Sequence, residues 1–133
     1  MKILLDTHIL MWLFSGDDRL SQRALALINN SDELLCSAVT IWEISVKHSH
    51  DPYGFDLTAE KMIHLCEENG ILQLPVFSRH IPALSSLHRQ ENAPVHKDPF
   101  DRIMIAQAKT DNLFFVTHDS LIKYYDEPCI LFV

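Results

Sequence analysis

Five short apolar runs, separated by segments of helical character, constrain the fold of this chain more than any other feature. The runs are KILL (2–5), LLCS (34–37), ILQL (71–74), LFFVT (113–117) and CILFV (129–133). Each has the length of a strand, and strands that alternate with helices are typical of a parallel sheet with helices on both faces. We therefore expect an α/β fold built on a central parallel sheet.

The segments between these runs carry apolar residues at helical spacing and begin at good capping residues. Asp6, Ser21 and Thr58 each stand where a helix is expected to begin. The predicted helices cover 6–14, 21–30, 38–49, 58–69, about 78–87 and 99–111, and a short one starts at Asp119. The segments 50–56 and 88–98 are expected to be loops.

Length and composition limit the classes of protein that fit. A chain of 133 residues suits one domain, so we expect a single domain over 1–133. The net charge of −7 argues against simple nucleic-acid binding, because an acidic chain repels phosphate unless cations or a local basic patch reverse the field. The three scattered cysteines match neither a disulfide framework nor a metal site, and no segment is long enough to span a membrane, so we expect a cytoplasmic protein.

Four acidic residues occupy notable positions on this predicted frame. Asp6 directly follows the first strand, and Asp119 follows the strand LFFVT. Because the carboxyl ends of parallel strands share one edge of the sheet, we expect both side chains at that edge. Asp101 begins the helix that leads into LFFVT, and Glu43 lies one turn into the helix after LLCS, so both are candidates for the same edge.

Each of these acids also has a purely structural explanation. Glu43 fits a capping box with Thr40 and an ion pair with Lys47 one turn later. The other three fit helix capping or a favourable interaction with the helix dipole. Caps need no common meeting point, however, so the joint placement of the acids favours a shared role.

A divalent cation is the shared role that best suits a cluster of carboxylates. Clustered carboxylates raise one another's pKa, and a cation relieves that repulsion. Oxygen ligands at a polar rim suit Mg²⁺ or Mn²⁺, which orient a water molecule and neutralise charge on a phosphodiester. The sequence has no Gly-rich phosphate loop and no Ser-His-Asp or Cys-His arrangement at a telling spacing. Metal-assisted phosphoester hydrolysis is the reaction these residues favour.

Four ordered blocks of the sequence resemble the PIN-domain ribonucleases, and most closely the VapC-type toxins of toxin–antitoxin pairs. The blocks are LLDTHILMWLF, SAVTIWEIS, HKDPFDRIMIAQA and FFVTHDSLI, and they run nearly end to end. The acidic positions of the family fall on Asp6, Glu43, Asp101 and Asp119. Asp98, one turn before Asp101 and followed by a proline, suits the helix cap, and a supporting role at the site remains open.

The resemblance implies a single PIN-like domain with Mg²⁺- or Mn²⁺-dependent endoribonuclease activity, the four acids holding the metal. It further implies a homodimer and an antitoxin, encoded nearby, that blocks the site; tRNA, rRNA and mRNA are all compatible substrates. Two alternatives stay open: a PIN-like interaction module without catalysis, and a metal-dependent phosphatase with Asp6 as nucleophile. Such phosphatases usually carry a second aspartate two residues later, where this chain has His8.

Several neighbouring residues allow a structural or a functional interpretation. Trp12 and Trp42 are expected to pack in the core, with stacking on an RNA base as the alternative. Thr117 either orients a water molecule or helps to cap the segment after it. Histidines close to the acids are expected not to be ligands, because Mg²⁺-type sites prefer oxygen; these are His8, His96 and His118. Cationic residues near the expected rim are candidates for contacting RNA phosphate, and these are Lys47, Arg89, Lys97 and Arg102, with His88 and His96 adding charge below neutral pH.

Overall fold

A five-stranded parallel sheet forms the centre of the protein, seen here in a computed structural model that describes residues 1–133. The strands are β1 (Lys2–Leu5), β2 (Glu33–Ser37), β3 (Leu72–Leu74), β4 (Phe114–Thr117) and β5 (Ile130–Phe132). Their order across the sheet is β3-β2-β1-β4-β5. The prediction of a parallel α/β sheet is confirmed.

Five α-helices cover the two faces of this sheet. They are α1 (Thr7–Ser15), α2 (Gln22–Asn29), α3 (Ala38–His50), α4 (Ala59–Glu68) and α5 (Pro99–Asp111). Alternate residues of β1 enter separate hydrophobic clusters: Ile3 and Leu5 pack in one, with residues of α1, α2 and α4, and Leu4 packs in the other, with residues of α5. Since successive strand residues point to opposite faces, helices do lie on both faces, as predicted.

The strand order places a topological switch point at the middle of the sheet. The chain runs from β1 outward through β2 to β3, then crosses to the other side of β1 to form β4 and β5. β1 and β4 are therefore parallel neighbours whose connections leave in opposite directions. In open α/β sheets, ligands bind in the crevice beyond the carboxyl ends of such a pair.

Two segments that the sequence predicts as α-helices form short 3-10 helices in the structure. In place of a helix over 78–87, the chain forms two 3-10 helices, Ser78–His80 and Pro82–Ser86. Pro82 has no N–H to donate, and its ring clashes with the carbonyl four residues earlier, so an α-helix does not run through this point. The short helix expected from Asp119 is a 3-10 helix at Ile122–Tyr124. None of the helices combines the length and the apolar character that crossing a bilayer requires.

Candidate functional site

Asp6 lies directly beyond β1 and is held by two hydrogen bonds. The Asp6 Oδ1 accepts from the backbone N–H of Thr7 at 2.7 Å, as a cap of α1, and Oδ2 accepts from the Thr117 hydroxyl at 2.6 Å. Burial raises the pKa of Asp6 to about 6, although both hydrogen bonds act to lower it. The carboxylates of Glu43 and Asp119 raise this pKa further, so Asp6 lies within electrostatic range of both.

Glu43 reaches the same place from α3 through a threonine. Its Oε1 accepts from the Thr7 hydroxyl at 2.8 Å, and its Oε2 lies 3.4 Å from Nζ of Lys47. The Lys47 pair is as predicted, but the capping box with Thr40 is wrong, because Ser37 caps α3 with its hydroxyl on the Val39 N–H at 3.0 Å. Glu43 therefore takes no part in capping α3.

Asp98 is the cap of α5. Its Oδ1 accepts from the backbone N–H groups of Phe100 at 2.9 Å and Asp101 at 3.3 Å, and Pro99 occupies the first helical position. The predicted capping role is confirmed. Because Asp98 satisfies the N–H groups of this first turn, the side chain of Asp101 is left for another contact.

Asp101 points from the first turn of α5 into a largely buried position. It is 7% exposed, and its Oδ2 lies 3.0 Å from Nε2 of His96. Burial is the main cause that raises the pKa of Asp101 to about 8. The remaining contributions come from neighbouring carboxylates, in descending order those of Asp6, Asp98, Asp119 and Glu43.

Asp119 lies two residues beyond β4 and is partly exposed. Its Oδ1 accepts from the backbone N–H of Leu121 at 2.8 Å, and its own N–H donates to the Thr117 hydroxyl oxygen at 3.1 Å. It therefore stabilises a turn, whereas the sequence suggested a cap. Thr117 links both strand ends, because the same hydroxyl that accepts from the Asp119 N–H donates to Asp6.

Asp6 and Asp101 thus each lie within electrostatic range of the other three predicted acids, beyond the switch point of the sheet. Each of the four is engaged by a protein partner, and no group of three or more His, Cys, Asp or Glu side chains is already arranged to hold a metal ion. The donor set nevertheless fits a hard divalent cation. It consists of carboxylate oxygens, the ligands that such cations prefer. Burial, and after it the neighbouring carboxylates, raises the pKa of Asp6 and Asp101, and a bound cation would favour their ionised forms.

Two contacts at the site escape sequence analysis. The Thr7 hydroxyl bridges Glu43 and the Thr40 hydroxyl, which lies 2.9 Å away. His96, expected among surface charges, is instead buried against Asp101, and its pKa is lowered, first by burial. The only sequence signal for the contact between Thr7 and Glu43 is that Thr7 follows Asp6, the acid directly after β1.

The two tryptophans differ in their exposure to solvent. Trp12 is 9% exposed and packs in the core as predicted, but Trp42 is 61% exposed, so its predicted core position is wrong. Trp42 stands edge-on to Phe100, with ring centroids 4.8 Å apart. It borders a groove of about 570 Å³ that also includes Lys97 and Arg102.

The predicted basic residues are mostly engaged by the protein itself. Lys47 pairs with Glu43, and Arg102 donates to the Tyr125 hydroxyl and to the carbonyl of Leu84. Arg89 donates to the carbonyls of Leu121 and Pro94. Lys97 and His88 are exposed.

Comparison with known proteins gives a family match over almost the whole chain. The sequence matches the PIN domain family over residues 3–128. No curated protein matches it in sequence.

Among solved structures, the chain is similar in fold to several toxin–antitoxin assemblies. One is VapBC2 from Rickettsia felis bound to a promoter DNA fragment, with a TM-score of 0.69, 13% identity and coverage of 100% of this chain and 98% of that one. A second is a toxin–antitoxin complex from Klebsiella pneumoniae, with a TM-score of 0.62, 21% identity and coverage of 97% and 95%. A third is DNA-bound VapBC from Salmonella typhimurium, with a TM-score of 0.60, 16% identity and coverage of 98% and 97%.

Proposed function

The chain belongs to the PIN domain family, and on that basis we propose that it is a Mg²⁺- or Mn²⁺-dependent endoribonuclease acting as the VapC-type toxin of a toxin–antitoxin pair. The proposal takes residues 1–133 as one PIN domain working in the cytoplasm. The observation that carries it is that four carboxylates, from four different parts of the chain, lie near one end of the sheet beyond its switch point. Carboxylates with raised pKa values are unfavourable when ionised, and a bound cation reverses that cost.

The proposed metal ligands are Asp6, Glu43, Asp101 and Asp119. A divalent cation held there would lower the pKa of a bound water molecule and neutralise charge on the phosphodiester. The chain itself supplies orientation: Thr117 holds one oxygen of Asp6, and Thr7 holds one oxygen of Glu43. Burial of Asp6 and Asp101 limits the access of bulk water and strengthens electrostatic interactions at this point.

An RNA strand has to approach an acidic protein through a local basic surface. Lys47 pairs with Glu43, and Arg89 lies close enough to His96 to add to the effect of burial in lowering its pKa. The exposed Lys97 adjoins the Asp98 cap in sequence. In a homodimer, which we include in the proposal, two such sets would line one groove. Because salt weakens contacts between these cationic side chains and phosphate, the cleavage rate should fall with rising salt concentration.

The proposed protein partner is an antitoxin that blocks the carboxylates. The solved structures similar in fold are described as VapBC or toxin–antitoxin complexes, which supports a partner of this kind. An arginine of the antitoxin suits the site, because guanidinium pairs bidentately with carboxylate.

The decisive experiment is an RNA cleavage assay on the purified protein with Mg²⁺, with Mn²⁺ and with EDTA. We expect cleavage with either metal and none with chelator. Asp101→Asn should lower the rate at least about a hundredfold, since the loss of a ligand exceeds the loss of a hydrogen-bond partner. Asp98→Asn is the matched control one turn away, and it should keep most of the activity because Asn caps a helix as well as Asp.

Cleavage by Asp101→Asn at the wild-type rate would refute the assignment of the metal ligands. Absence of cleavage in every metal, with RNA of several classes, would instead favour an interaction module. Phosphate release from phosphomonoesters, without RNA cleavage, would favour the phosphatase.

The toxin role has a separate test in cells. Expression of the chain alone should arrest growth, and co-expression with the product of the neighbouring gene should restore it through a stable complex that co-purifies. Unaffected growth and intact RNA would refute the toxin role even if the purified protein cleaves RNA in vitro.

A further inference from the structure

We propose that His96 is a positioning residue that holds the Asp101 carboxylate in a metal-binding orientation. Tyr125 and Arg102 in turn determine which ring nitrogen of His96 donates and which accepts. This inference rests on the proposed function, because it concerns how one of the proposed ligands is oriented. It assigns a role to a histidine that lies in the loop before α5 and is not itself a ligand.

The geometry is a chain of three hydrogen bonds leading to the site. Nη1 of Arg102 donates to the Tyr125 hydroxyl at 3.1 Å, that hydroxyl lies 2.8 Å from Nδ1 of His96, and Nε2 of His96 lies 3.0 Å from Oδ2 of Asp101. The rings of His96 and Tyr125 meet edge to face, with centroids 5.5 Å apart. His96 is 8% exposed and Tyr125 is 4% exposed, so water does not compete for these contacts.

The direction of these three hydrogen bonds follows from the chemistry of Arg102. A guanidinium group has only donors, so the Tyr125 oxygen accepts from Arg102 and its own proton is available to Nδ1 of His96. With Nδ1 accepting, the neutral imidazole carries its proton on Nε2 and donates it to Asp101. Arg102 is anchored in turn by a bond from Nη2 to the Leu84 carbonyl at 3.0 Å. The tautomer of His96 is therefore set by groups outside the site.

The arrangement occupies one oxygen of Asp101 and leaves the other free. Oδ2 is taken by His96, and no protein group donates to Oδ1. Since no buried side-chain oxygen in the structure lacks a partner, Oδ1 is in contact with solvent. A carboxylate with one oxygen held by a hydrogen bond can bind a cation through its other oxygen. Hydrogen-bond partners of metal ligands commonly orient those ligands in this way.

A second buried histidine in the same protein provides a matched control. His80 is fully buried, its Nδ1 accepts from the Phe77 N–H at 2.9 Å, and its Nε2 lies 2.8 Å from Oδ2 of Asp111. The hydrogen-bond pattern is the same as that of His96. Asp111, however, ends α5, about 15 Å along the helix from Asp101. Truncating His80 therefore removes the same kind of contact without touching the site.

The test is calorimetric titration of the full chain with MnCl₂, using the wild type, His96→Ala, His96→Gln, Tyr125→Phe and His80→Ala, with urea unfolding of each. We expect His96→Ala to raise the Kd for Mn²⁺ about 10- to 100-fold. His96→Gln should bind nearly as tightly as the wild type, because its amide nitrogen reaches the position of Nε2. Tyr125→Phe should lie between these two, and His80→Ala should lose stability but keep its affinity for Mn²⁺.

Unchanged affinity in His96→Ala would overturn this inference while leaving the proposed metal site standing. It would also be overturned if His96→Gln bound as weakly as His96→Ala, or if His80→Ala lost as much affinity, since either result would indicate a general loss of packing. If His96→Ala does not fold, Tyr125→Phe decides: weaker Mn²⁺ binding supports the inference, and wild-type binding overturns it. A wild-type protein that binds no Mn²⁺ would refute the proposed function and this inference together.

Discussion

Replacing Asp101 with Asn keeps the shape of the side chain and removes its ability to ionise. The Asn carbonyl oxygen can still accept from Nε2 of His96, and the cap at Asp98 is untouched because it holds the backbone N–H of residue 101. The substitution therefore isolates the cost of keeping a carboxylate in this position. We expect the variant to be more stable than the wild type in the absence of metal.

The size of the effect follows from the raised pKa. In the folded protein the pKa of Asp101 is about 8, against an ordinary value of 3.8, so the folded state holds a proton that the unfolded state releases. The wild type pays no penalty below the ordinary pKa and an increasing one as the pH rises toward 8. Each pH unit costs about 1.4 kcal/mol, so at pH 7 the penalty is about 4 kcal/mol. Burying an amide in place of the carboxyl group costs the variant about 1–2 kcal/mol. The net gain in the free energy of unfolding is therefore about 2 kcal/mol.

Urea unfolding in EDTA at pH 7 and at pH 4 measures this directly. At pH 7 the midpoint of Asp101→Asn should lie about 1 M above that of the wild type. At pH 4 the gain should be lost and the variant should be slightly less stable than the wild type. The wild-type carboxyl is then protonated in the folded state and about half protonated in the unfolded state, so its penalty falls below about 1 kcal/mol and the cost of burying the amide outweighs it. A variant that is no more stable than the wild type at pH 7, or a gain that persists at pH 4, would show that Asp101 is not held under electrostatic strain.

Three further predictions concern metal binding and packing. Millimolar Mn²⁺ should raise the melting temperature of the wild type by binding the folded state, and a double variant with Asn in place of Asp6 and Asp101 should lose the rise; a rise that survives in the double variant places the metal elsewhere. Trp12→Ala should cost about 3–5 kcal/mol of unfolding free energy and Trp42→Ala less than about 1 kcal/mol, because only the first is buried; equal losses in chemical denaturation would contradict this. Gln107→Ala should cost about 2–4 kcal/mol, since this fully buried amide accepts from a serine hydroxyl and donates to two backbone carbonyls; the same denaturation series checks it, and a loss below the range would mean that water replaces those contacts.

Features that depend on neighbouring residues could be predicted from the sequence. The strands β1 and β4 at the middle of the sheet are apolar because both of their faces are covered, and a run of apolar residues records this in the sequence. The caps at Asp6, Ser21, Thr58 and Asp98 were all predicted and all occur, because a cap involves only the next few N–H groups. The position of Asp6 and Asp119 at strand ends likewise follows from the chain itself.

The tertiary structure decided what depends on residues distant in sequence. The Thr117 hydroxyl reaches Asp6 across 111 residues, and the Thr7 hydroxyl reaches Glu43 across 36, because the strand order makes β4 and β2 neighbours of β1. The exposure of Trp42 and the burial of His96 depend on which side of a helix or loop the rest of the molecule covers. Composition and periodicity record a residue's own preference, whereas burial and hydrogen-bond partners are set by the elements that pack against it. The positions of the acids along the chain could therefore be predicted from the sequence, whereas their contacts with Thr7, Thr117 and His96 could not.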